Sequence, residues 1–402
     1  MTTEQAKQIS DILEELAKLL DVTETEFKAI TTSYEAVGTY LAEGSSPLQK
    51  YNPSIHPQGS FLLGTVVRPI SDDIDIDLVC ELQNKPAHWT QCDLKNAVGD
   101  RLKDSELYSK KLDEEGKRCW TLIYSDGKYH MDILPSLVGN NYRQLVENCF
   151  SEGEFQNVQQ LAMHITDNTR KDYKVETNPG RWLLSNPFGY AKWFLSSARA
   201  AYPQQRTFAN EAKIEAVPKY NKGKYALQRV VQLLKRHRDI MFDGMDDKPI
   251  SIIITTLATL VYNRETNIYL ALKHIAKNME NHIEDRYGVK WIANPVNPKE
   301  NFADRWATEP KKQENFYKWL YKLQNDVALL ESTFGKGLPQ TKIVLDDMFG
   351  ESISTKTYDT YSKSLLEDRK SGNMRMASTG VLGSIGTKVA AHNFYGSEDE
   401  ET

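Results

Sequence analysis

The sequence predicts an α+β fold, with a mixed sheet and helices in its front half and helices alone in its back half. Over the first forty residues, apolar side chains recur at steps of three and four, which is the period of an amphipathic helix. Between residues 59 and 137, two segments rich in β-branched, aromatic and other apolar residues show the character of strands. After about residue 150 these strand signals fade and helical periodicity returns.

Two amphipathic helices are expected at the N-terminus, because two consecutive segments each carry one apolar stripe. The stripe residues are Ile9, Ile12, Leu13, Leu16, Leu19 and Leu20 in the first segment and Phe27, Ile30, Tyr34, Val37 and Leu41 in the second. Residues 42–54 follow as a loop, since they combine Gly, Ser, Pro and Asn.

The sheet is expected from two β segments. Residues 59–82 end in a strict alternation of apolar and acidic side chains, which is typical of a strand with one buried face. Residues 118–137 predict a hairpin, because Asp126 and Gly127 form a turn between two runs rich in Tyr, Ile, Leu and Trp.

The back half is predicted to be helical over three segments, residues 224–242, 251–275 and 314–334. Residues 291–306, punctuated by Pro and Asn, form a connection between the last two of them. Residues 371–402 are rich in Gly and Ser and end acidic, so we expect a flexible C-terminal tail.

The composition excludes several classes of protein. With 40% hydrophobic and 26% charged residues, the chain is globular rather than disordered. Its 50 basic and 55 acidic residues give a net charge of −5, which argues against a dedicated duplex-DNA binder and any need for long nucleic acid. The longest apolar run, residues 250–261, is too short to span a bilayer. The N-terminus lacks a secretory signal and the four cysteines lack metal-site spacing, so we expect a cytoplasmic protein with reduced thiols and no membrane partner.

Acidic residues alternate with apolar ones at the end of the first β segment. In a strand, Asp73, Asp75 and Asp77 would share one face at intervals of roughly 6–7 Å and repel one another unless cations neutralise them. In the second β segment, His130 and Asp132 also share a face. Two such strands side by side would bring Asp132 against Asp75 and Asp77 and form a cluster of three carboxylates that suits two hard cations such as Mg²⁺.

A small turn precedes the acidic strand. Gly59 and Ser60 can present backbone amides and a hydroxyl to triphosphate oxygens, and Gly64 with Thr65 repeats the pattern. Two metals about 3.5–4 Å apart activate an attacking hydroxyl and stabilise leaving pyrophosphate. The combination of turn and carboxylates therefore predicts nucleotidyl transfer.

These residues resemble a known family. The segments GSFLLGT, DIDIDLVCEL and YHMDILPS are similar to those of polymerase-β-like nucleotidyltransferases, and more closely to the cGAS/DncV-like group (CD-NTases) of the bacterial anti-phage systems called CBASS. The segments LQRVVQLLKRHRDIMF, PISIIITTLATLVYN and NPVNPKENFADRW also resemble bacterial CD-NTases. The resemblance covers most of residues 25–350.

The resemblance implies a polymerase-β-like nucleotidyltransferase core packed on a helical, OAS-like domain, with the active site in the cleft between them. The implied divisions are N-terminal helices packing on the core (1–45), the core (46–180), the helical domain (181–370) and the tail (371–402). The implied activity is synthesis of a cyclic di- or trinucleotide messenger from NTPs, ATP and/or GTP, with release of pyrophosphate in anti-phage signalling. Two Mg²⁺ ions, for which Mn²⁺ can substitute, are the implied cofactors.

The resemblance also assigns roles to residues of the carboxylate cluster. Asp75 and Asp77 match the metal-binding pair of the family, and Asp132 matches the third carboxylate, which binds metal and helps to deprotonate the acceptor hydroxyl. The register is open at one point, because the pair Asp73 and Asp75 also fits the family pattern.

Further residues are assigned to nucleotide binding. Gly59 and Ser60 match the glycine-serine motif, and Gln58 directly precedes them. Lys235 and Ser251 correspond to residues that grip the donor triphosphate. Arg236 or Arg238 would add the positive charge that a triphosphate needs. Among the aromatic residues Tyr190, Trp193 and Phe194 we expect mainly domain packing, although a tyrosine near the cleft can stack on a base.

Other interpretations of the same residues stay open. One is a template-independent nucleotidyltransferase that acts on RNA, a protein or a small molecule, and another is a catalytically silent nucleotide-binding scaffold. The tail would be accessible to a regulatory partner protein, but it ends at Thr402 rather than at glycine, which argues against ubiquitin-like conjugation.

Overall fold

The structure is a computed structural model that describes residues 2–71, 73–151, 158–202, 220, 223–334, 336–376, 382–383 and 386–389. Its helices in the described ranges are α1 (Thr3–Leu19), α2 (Glu24–Ala42), α3 (Gly59–Leu63), α4 (Gln91–Lys103), α5 (Glu106–Ser109), α6 (Tyr142–Ser151), α7 (Pro187–Arg199), α8 (Ala226–Met241), α9 (Ser251–Val261), α10 (Ile268–Asn278), α11 (Pro310–Ser332), α12 (Leu338–Phe349) and α13 (Glu351–Lys370).

The strands in the same ranges are β1 (Ser54–Pro57), β2 (Ile74–Gln83), β3 (Trp120–Tyr124), β4 (Tyr129–Val138), β5 (Met163–Ile165), β6 (Leu183–Ser185), β7 (Glu284–Arg286), β8 (Val289–Trp291), β9 (Ala293–Asn294), β10 (Asn297–Asn301), β11 (Arg375–Met376), β12 (Leu382–Gly383) and β13 (Thr387–Lys388).

A mixed sheet forms the front half. Its strands follow the order β1-β2-β4-β5-β6, and β3 also pairs with β4. Strands β2 and β4 are parallel, whereas the other pairs are antiparallel. The hairpin of β3 and β4 is the predicted one. The sheet and the surrounding helices confirm the α+β prediction.

Two hydrophobic cores divide the molecule. One lies between the sheet and helices α2 and α4, and it includes the apolar face of β2. The other joins α1 and helices α7 to α12 with part of the sheet. Its centre includes the fully buried Trp319, Phe316 and Leu257. The cleft described below lies where the sheet meets these helices.

The two N-terminal helices have different main packing partners. Helix α2 packs against β1, whereas α1 packs against α10, α13 and α8. The stripe of α1 is continuous enough to bury Ile12, Leu13 and Leu16 completely among these helices. Arg229 of α8 adds an ion pair to Asp21, just beyond the end of α1, with Nη1 2.7 Å from Oδ2.

Several element boundaries differ from the sequence expectations. The strand expected from residue 59 begins only at Ile74, because residues 59–63 form the short helix α3. The helical segment 251–275 is split into α9 and α10. The connection 291–306 contains the short strands β9 and β10. In the tail, β11 pairs with β12 and β13, while residues 390–402, where partner binding was considered, lie outside the described residues.

Two expectations from composition can be compared with the structure. All four cysteines, Cys80, Cys92, Cys119 and Cys149, are free. None of the helices in the described ranges has the length and apolar character needed to cross a membrane.

Candidate active site

The turn at Gly59 brings the chain against the acidic strand. Gly59 has φ +54°, in the left-handed region that favours glycine, and it begins α3. The backbone N–H of Gln58 donates to the carbonyl oxygen of Asp77 over 2.9 Å. A Cβ atom on Gly59 would lie 2.3 Å from Oδ2 of Asp77, closer than any real contact. Only glycine therefore lets the backbone of the glycine-serine motif approach this carboxylate.

Three carboxylates converge where β2 and β4 run side by side. Asp77 lies opposite Asp132 in the parallel register, and Asp75 lies two residues earlier on the same face of β2. One carboxylate oxygen from each of the three lies within 4.8 Å of the others. Asp73 lies before the start of β2 and is not a member of this group.

Neighbouring polar side chains orient two of these carboxylates. The Thr121 hydroxyl on β3 donates to Oδ1 of Asp132 over 2.5 Å. Nε2 of His130 lies 3.2 Å from Oδ1 of Asp75, and this carboxylate raises the pKa of the imidazole. Each contact comes from a residue on the strand next to its partner, so the sheet itself sets the positions.

The cluster concentrates negative charge that His130 and Lys235 offset only in part. Burial, together with the carboxylates of Asp75 and Asp132, raises the pKa of Asp77 to about 7. Such a shift means that the third negative charge is unfavourable without cations. Oxygen ligands only a few ångströms apart are the donor set that Mg²⁺ prefers, so the residues present fit one or two such ions.

Lys235 contacts the segment that follows the glycine-serine motif. Its Nζ donates to the carbonyl oxygen of Thr65 over 3.1 Å and contacts the Thr65 hydroxyl at 3.3 Å. Burial, with a further contribution from the charge of Arg238, lowers the pKa of this ammonium to about 7. On the same face of α8, Gln228 and Gln232 donate to the carbonyl oxygens of Leu63 and Val66, each over 2.8 Å. Helix α8 therefore holds residues 63–66 through three side-chain donors on successive turns.

Ser251, at the start of α9, accepts a hydrogen bond from an arginine of α8. Nη1 of Arg238 donates to the Ser251 hydroxyl over 2.8 Å, while another face of the guanidinium pairs with Asp239. Arg236 takes a different direction, because its Nε donates to the carbonyl oxygen of Phe349. Of the two arginines considered, Arg238 is therefore the one that lies with Ser251 and Lys235 in the cleft.

One cleft of about 950 Å³ joins these features. The residues named in the sequence analysis that line it are Gln58, Gly59, Ser60, Asp73, Asp75, Asp77, His130, Tyr190, Lys235, Arg238 and Ser251. Asp132 does not line the cleft, but it is linked to it through the carboxylate group. The structure thus brings together the glycine-serine turn, three carboxylates and the cations Lys235, Arg238 and Lys248, an arrangement that suits phosphoryl transfer from a nucleotide.

The cleft also contains residues that the sequence did not indicate as site residues. Asn294 and Glu300, from β9 and β10, line it together with Phe302. Tyr190, which we expected mainly in packing, joins them there and its hydroxyl contacts that of Thr256 at 2.8 Å. These side chains come from segments more than a hundred residues apart, so no local pattern could have grouped them. The unusual density of Asn and Pro in residues 291–306 was the single available signal.

Comparison with known proteins places this cleft in a family context. A family model described as "Cyclic GMP-AMP synthase DncV-like, nucleotidyltransferase domain" matches residues 53–135. That segment contains the glycine-serine motif and all three clustered carboxylates. The chain is 29% identical to the c-di-GMP synthase of Roseivirga ehrenbergii over 386 residues, which cover 95% of this chain and 94% of that protein.

A second relative extends the comparison to a solved structure. The cyclic dinucleotide synthase CdnG of Bradyrhizobium diazoefficiens is 26% identical over 393 residues, covering 92% of this chain and 88% of that protein. A structure of the B. diazoefficiens CD-NTase CdnG in complex with GTP matches with a TM-score of 0.64 at 22% identity. The match covers 88% of this chain and 99% of that chain, so the two share one fold.

Proposed function

We propose that this chain is a DncV-like nucleotidyltransferase that joins NTPs into a cyclic dinucleotide and releases pyrophosphate. The observation that carries the proposal is the convergence of Asp75, Asp77 and Asp132 beside a glycine-serine turn, with Asp75, Asp77 and the turn lining one cleft. The names of both curated relatives, a c-di-GMP synthase and a cyclic dinucleotide synthase, support a ring of two nucleotides.

The geometry suggests a role for each group. Asp75, Asp77 and Asp132 would hold two divalent cations, Mg²⁺ or Mn²⁺, which supply charge neutralisation and lower the pKa of the attacking hydroxyl. The backbone amides after Gly59 and the Ser60 hydroxyl would bind triphosphate oxygens. The ribose hydroxyl oxygen attacks the α-phosphorus while the bond to pyrophosphate breaks, and Asp132 helps to remove the hydroxyl proton. A second attack of the same kind closes the ring.

The cations of the cleft would balance the triphosphate. Lys235 and Arg238 lie in the lining, and Arg238 already holds the Ser251 hydroxyl. Because hydrogen bonds between charged groups are stronger than neutral ones, these contacts would fix the donor nucleotide in line with the acceptor. By the same family relation we propose a role in anti-phage signalling of the CBASS type, and a regulatory partner protein for the C-terminal tail.

The product distinguishes this function from its alternatives. Purified protein is incubated with all four NTPs and Mg²⁺ or Mn²⁺, and the released pyrophosphate is measured. The nucleotide products are then treated with phosphatase and identified by mass spectrometry. A cyclic dinucleotide without terminal phosphate, with two pyrophosphates released for each product, is the expected result. A linear oligonucleotide or a modified protein would indicate template-independent transfer instead. Metal-dependent NTP binding without any product would indicate a silent scaffold.

The Gly59→Ala substitution is expected to lower product formation at least about 100-fold. The added Cβ meets the Asp77 carboxylate and the residue must keep a positive φ, so the metal site and the phosphate cradle are displaced together. The measurement is the initial rate with saturating NTP. Gly44→Ala is the matched control, because a Cβ there has nothing within 4 Å. Equal rates for the two variants would show that the close approach at Gly59 is unimportant.

The Arg238→Gln substitution is expected to raise the KM for NTP about 10-fold or more, with a smaller effect on kcat. The reason is that the triphosphate loses a charge-assisted contact that binds it before and during the reaction. Steady-state kinetics measure both constants. Arg286→Gln is the control, since that arginine lies on the hairpin of β7 and β8, outside the cleft lining, and pairs with Glu284. An unchanged KM for Arg238→Gln would remove Arg238 from the triphosphate site.

A further inference from the structure

Part of the cleft lining is aromatic and differs in chemistry from the residues proposed to bind phosphate. Tyr190 and Phe302 lie there with their rings nearly perpendicular, at an interplanar angle of 74° and a centroid distance of 6.3 Å. The Tyr190 hydroxyl contacts Thr256, which lies five residues, or about 7.5 Å, along α9 from Ser251. The cations that line the cleft, Lys235, Arg238 and Lys248, come from α8 and from the segment just before Ser251. The aromatic part of the lining, Tyr190 and Phe302, is therefore suited to contact a base rather than a phosphate.

Glu300, two residues before Phe302, lines the same cleft and presents an oriented carboxylate. The buried amide of Asn294 donates to Oε2 of Glu300 over 2.7 Å, and the Asn294 carbonyl oxygen accepts from the backbone N–H of Val296 over 3.0 Å. Because both ends of the amide are used, Asn294 cannot rotate without losing a hydrogen bond. Within the part of the chain that the structure describes, Oε1 of Glu300 has no hydrogen-bond partner. An ionised carboxylate accepts hydrogen bonds and donates none.

We propose that Glu300 selects a guanine nucleotide, an inference that rests on the proposed function and deepens it. Guanine is the base whose Watson–Crick edge carries two adjacent donors, N1–H and the N2 amino group. A carboxylate can accept from both. Adenine and cytosine place a ring-nitrogen lone pair opposite the carboxylate, which repels it, and uracil offers one donor between two acceptors. The negative charge of Glu300 also disfavours a phosphate near this carboxylate and favours binding of the triphosphate at Lys235 and Arg238.

Binding measurements test this selection without requiring turnover. The α,β-methylene analogues of GTP, ITP and ATP are titrated calorimetrically into the full-length protein with Mg²⁺. We expect the guanine analogue to bind at least about 10-fold more tightly than the adenine analogue. The inosine analogue, which lacks the N2 amino group, is expected between them. In Glu300→Gln the affinity for the guanine analogue falls about 10- to 100-fold, and that for the adenine analogue changes less than about twofold.

Controls separate this inference from the proposed function. Glu284→Gln, on the hairpin of β7 and β8 and outside the cleft lining, is expected to bind all three analogues like the unchanged protein. Equal binding of the guanine and adenine analogues to the unchanged protein would overturn the selection by Glu300 and leave nucleotidyl transfer intact. Unaltered base preference in a folded Glu300→Gln would do the same. Failure of the protein to bind any analogue would overturn the proposed function itself. The inosine comparison uses the unchanged chain, so equal binding of the guanine and inosine analogues would overturn the proposed contact with the N2 amino group even where the variant does not fold.

Discussion

The Asp77→Asn variant is expected to lose product formation at least about 1000-fold while it keeps its fold. Asp77 lies at the centre of the group, opposite Asp132 and beside Asp75, so its loss removes a ligand from the two-metal arrangement. Metal stabilisation of the transition state is worth several kcal/mol, and each 1.36 kcal/mol is a factor of ten in rate. Asparagine has nearly the same size as aspartate, so packing against Gly59 is preserved. The measurement is the initial rate of cyclic product formation with Mg²⁺.

Asp73→Asn is the matched control for this variant. Asp73 lies in the same acidic run but is not one of the three clustered carboxylates, so its rate is expected to stay within about threefold of that of the unchanged protein. The comparison also decides the register question that the sequence left open. A strong loss in Asp73→Asn together with an active Asp77→Asn would show that Asp73 and Asp75 form the metal-binding pair.

In the metal-free protein, titration of Asp77 is expected to lower the free energy of unfolding as the pH rises from about 4 to 7, and divalent metal is expected to offset this loss. Asp77 has a folded-state pKa of about 7, whereas an unfolded aspartate has a pKa of about 3.9. Between these values the folded chain binds more protons than the unfolded chain, so the free energy of unfolding falls with rising pH. The cost is fully present above pH 7. A difference of about 3 pKa units sets an upper bound of about 4 kcal/mol on it.

Thermal unfolding of Asp77→Asn beside the unchanged protein isolates this contribution, because other titrating groups are shared. Without metal, the Tm of the variant relative to the unchanged protein is expected to increase between pH 5 and pH 8. Added Mg²⁺ is expected to raise the Tm of the unchanged protein more at pH 8 than at pH 5, since the ligands must be deprotonated to bind it. A Tm difference that does not vary with pH would contradict the charge repulsion at Asp77.

Much of the acidic site could be predicted because it depends on short-range periodicity. The two-residue repeat of a strand places Asp75 and Asp77 on one face, whatever the rest of the chain does. That Asp132 would lie opposite Asp77 could only be supposed, because strand pairing between distant segments is decided by the core beneath them. The parallel alignment of β2 and β4 places Asp132 opposite Asp77.

The remaining features depend on tertiary packing, so short sequence patterns do not predict them. Residues 59–63 are apolar enough for a strand, but the positive φ of Gly59 and the tether to Asp77 turn them into α3. Which arginine faces the cleft follows from the rotation of α8, which directs Arg238 to Ser251 and Arg236 to Phe349. Glu300 becomes a candidate only when β10 is placed beside the cleft.

The most direct test of the central claim is a side-by-side reaction of the unchanged protein and Asp75→Asn/Asp77→Asn with labelled NTPs and Mg²⁺ or Mn²⁺. The phosphatase-resistant products are then separated and identified by mass. We expect the unchanged protein to form a cyclic dinucleotide and the double variant to form none above background. Equal amounts of that product from both proteins would contradict the role of the three-carboxylate cluster in nucleotidyl transfer.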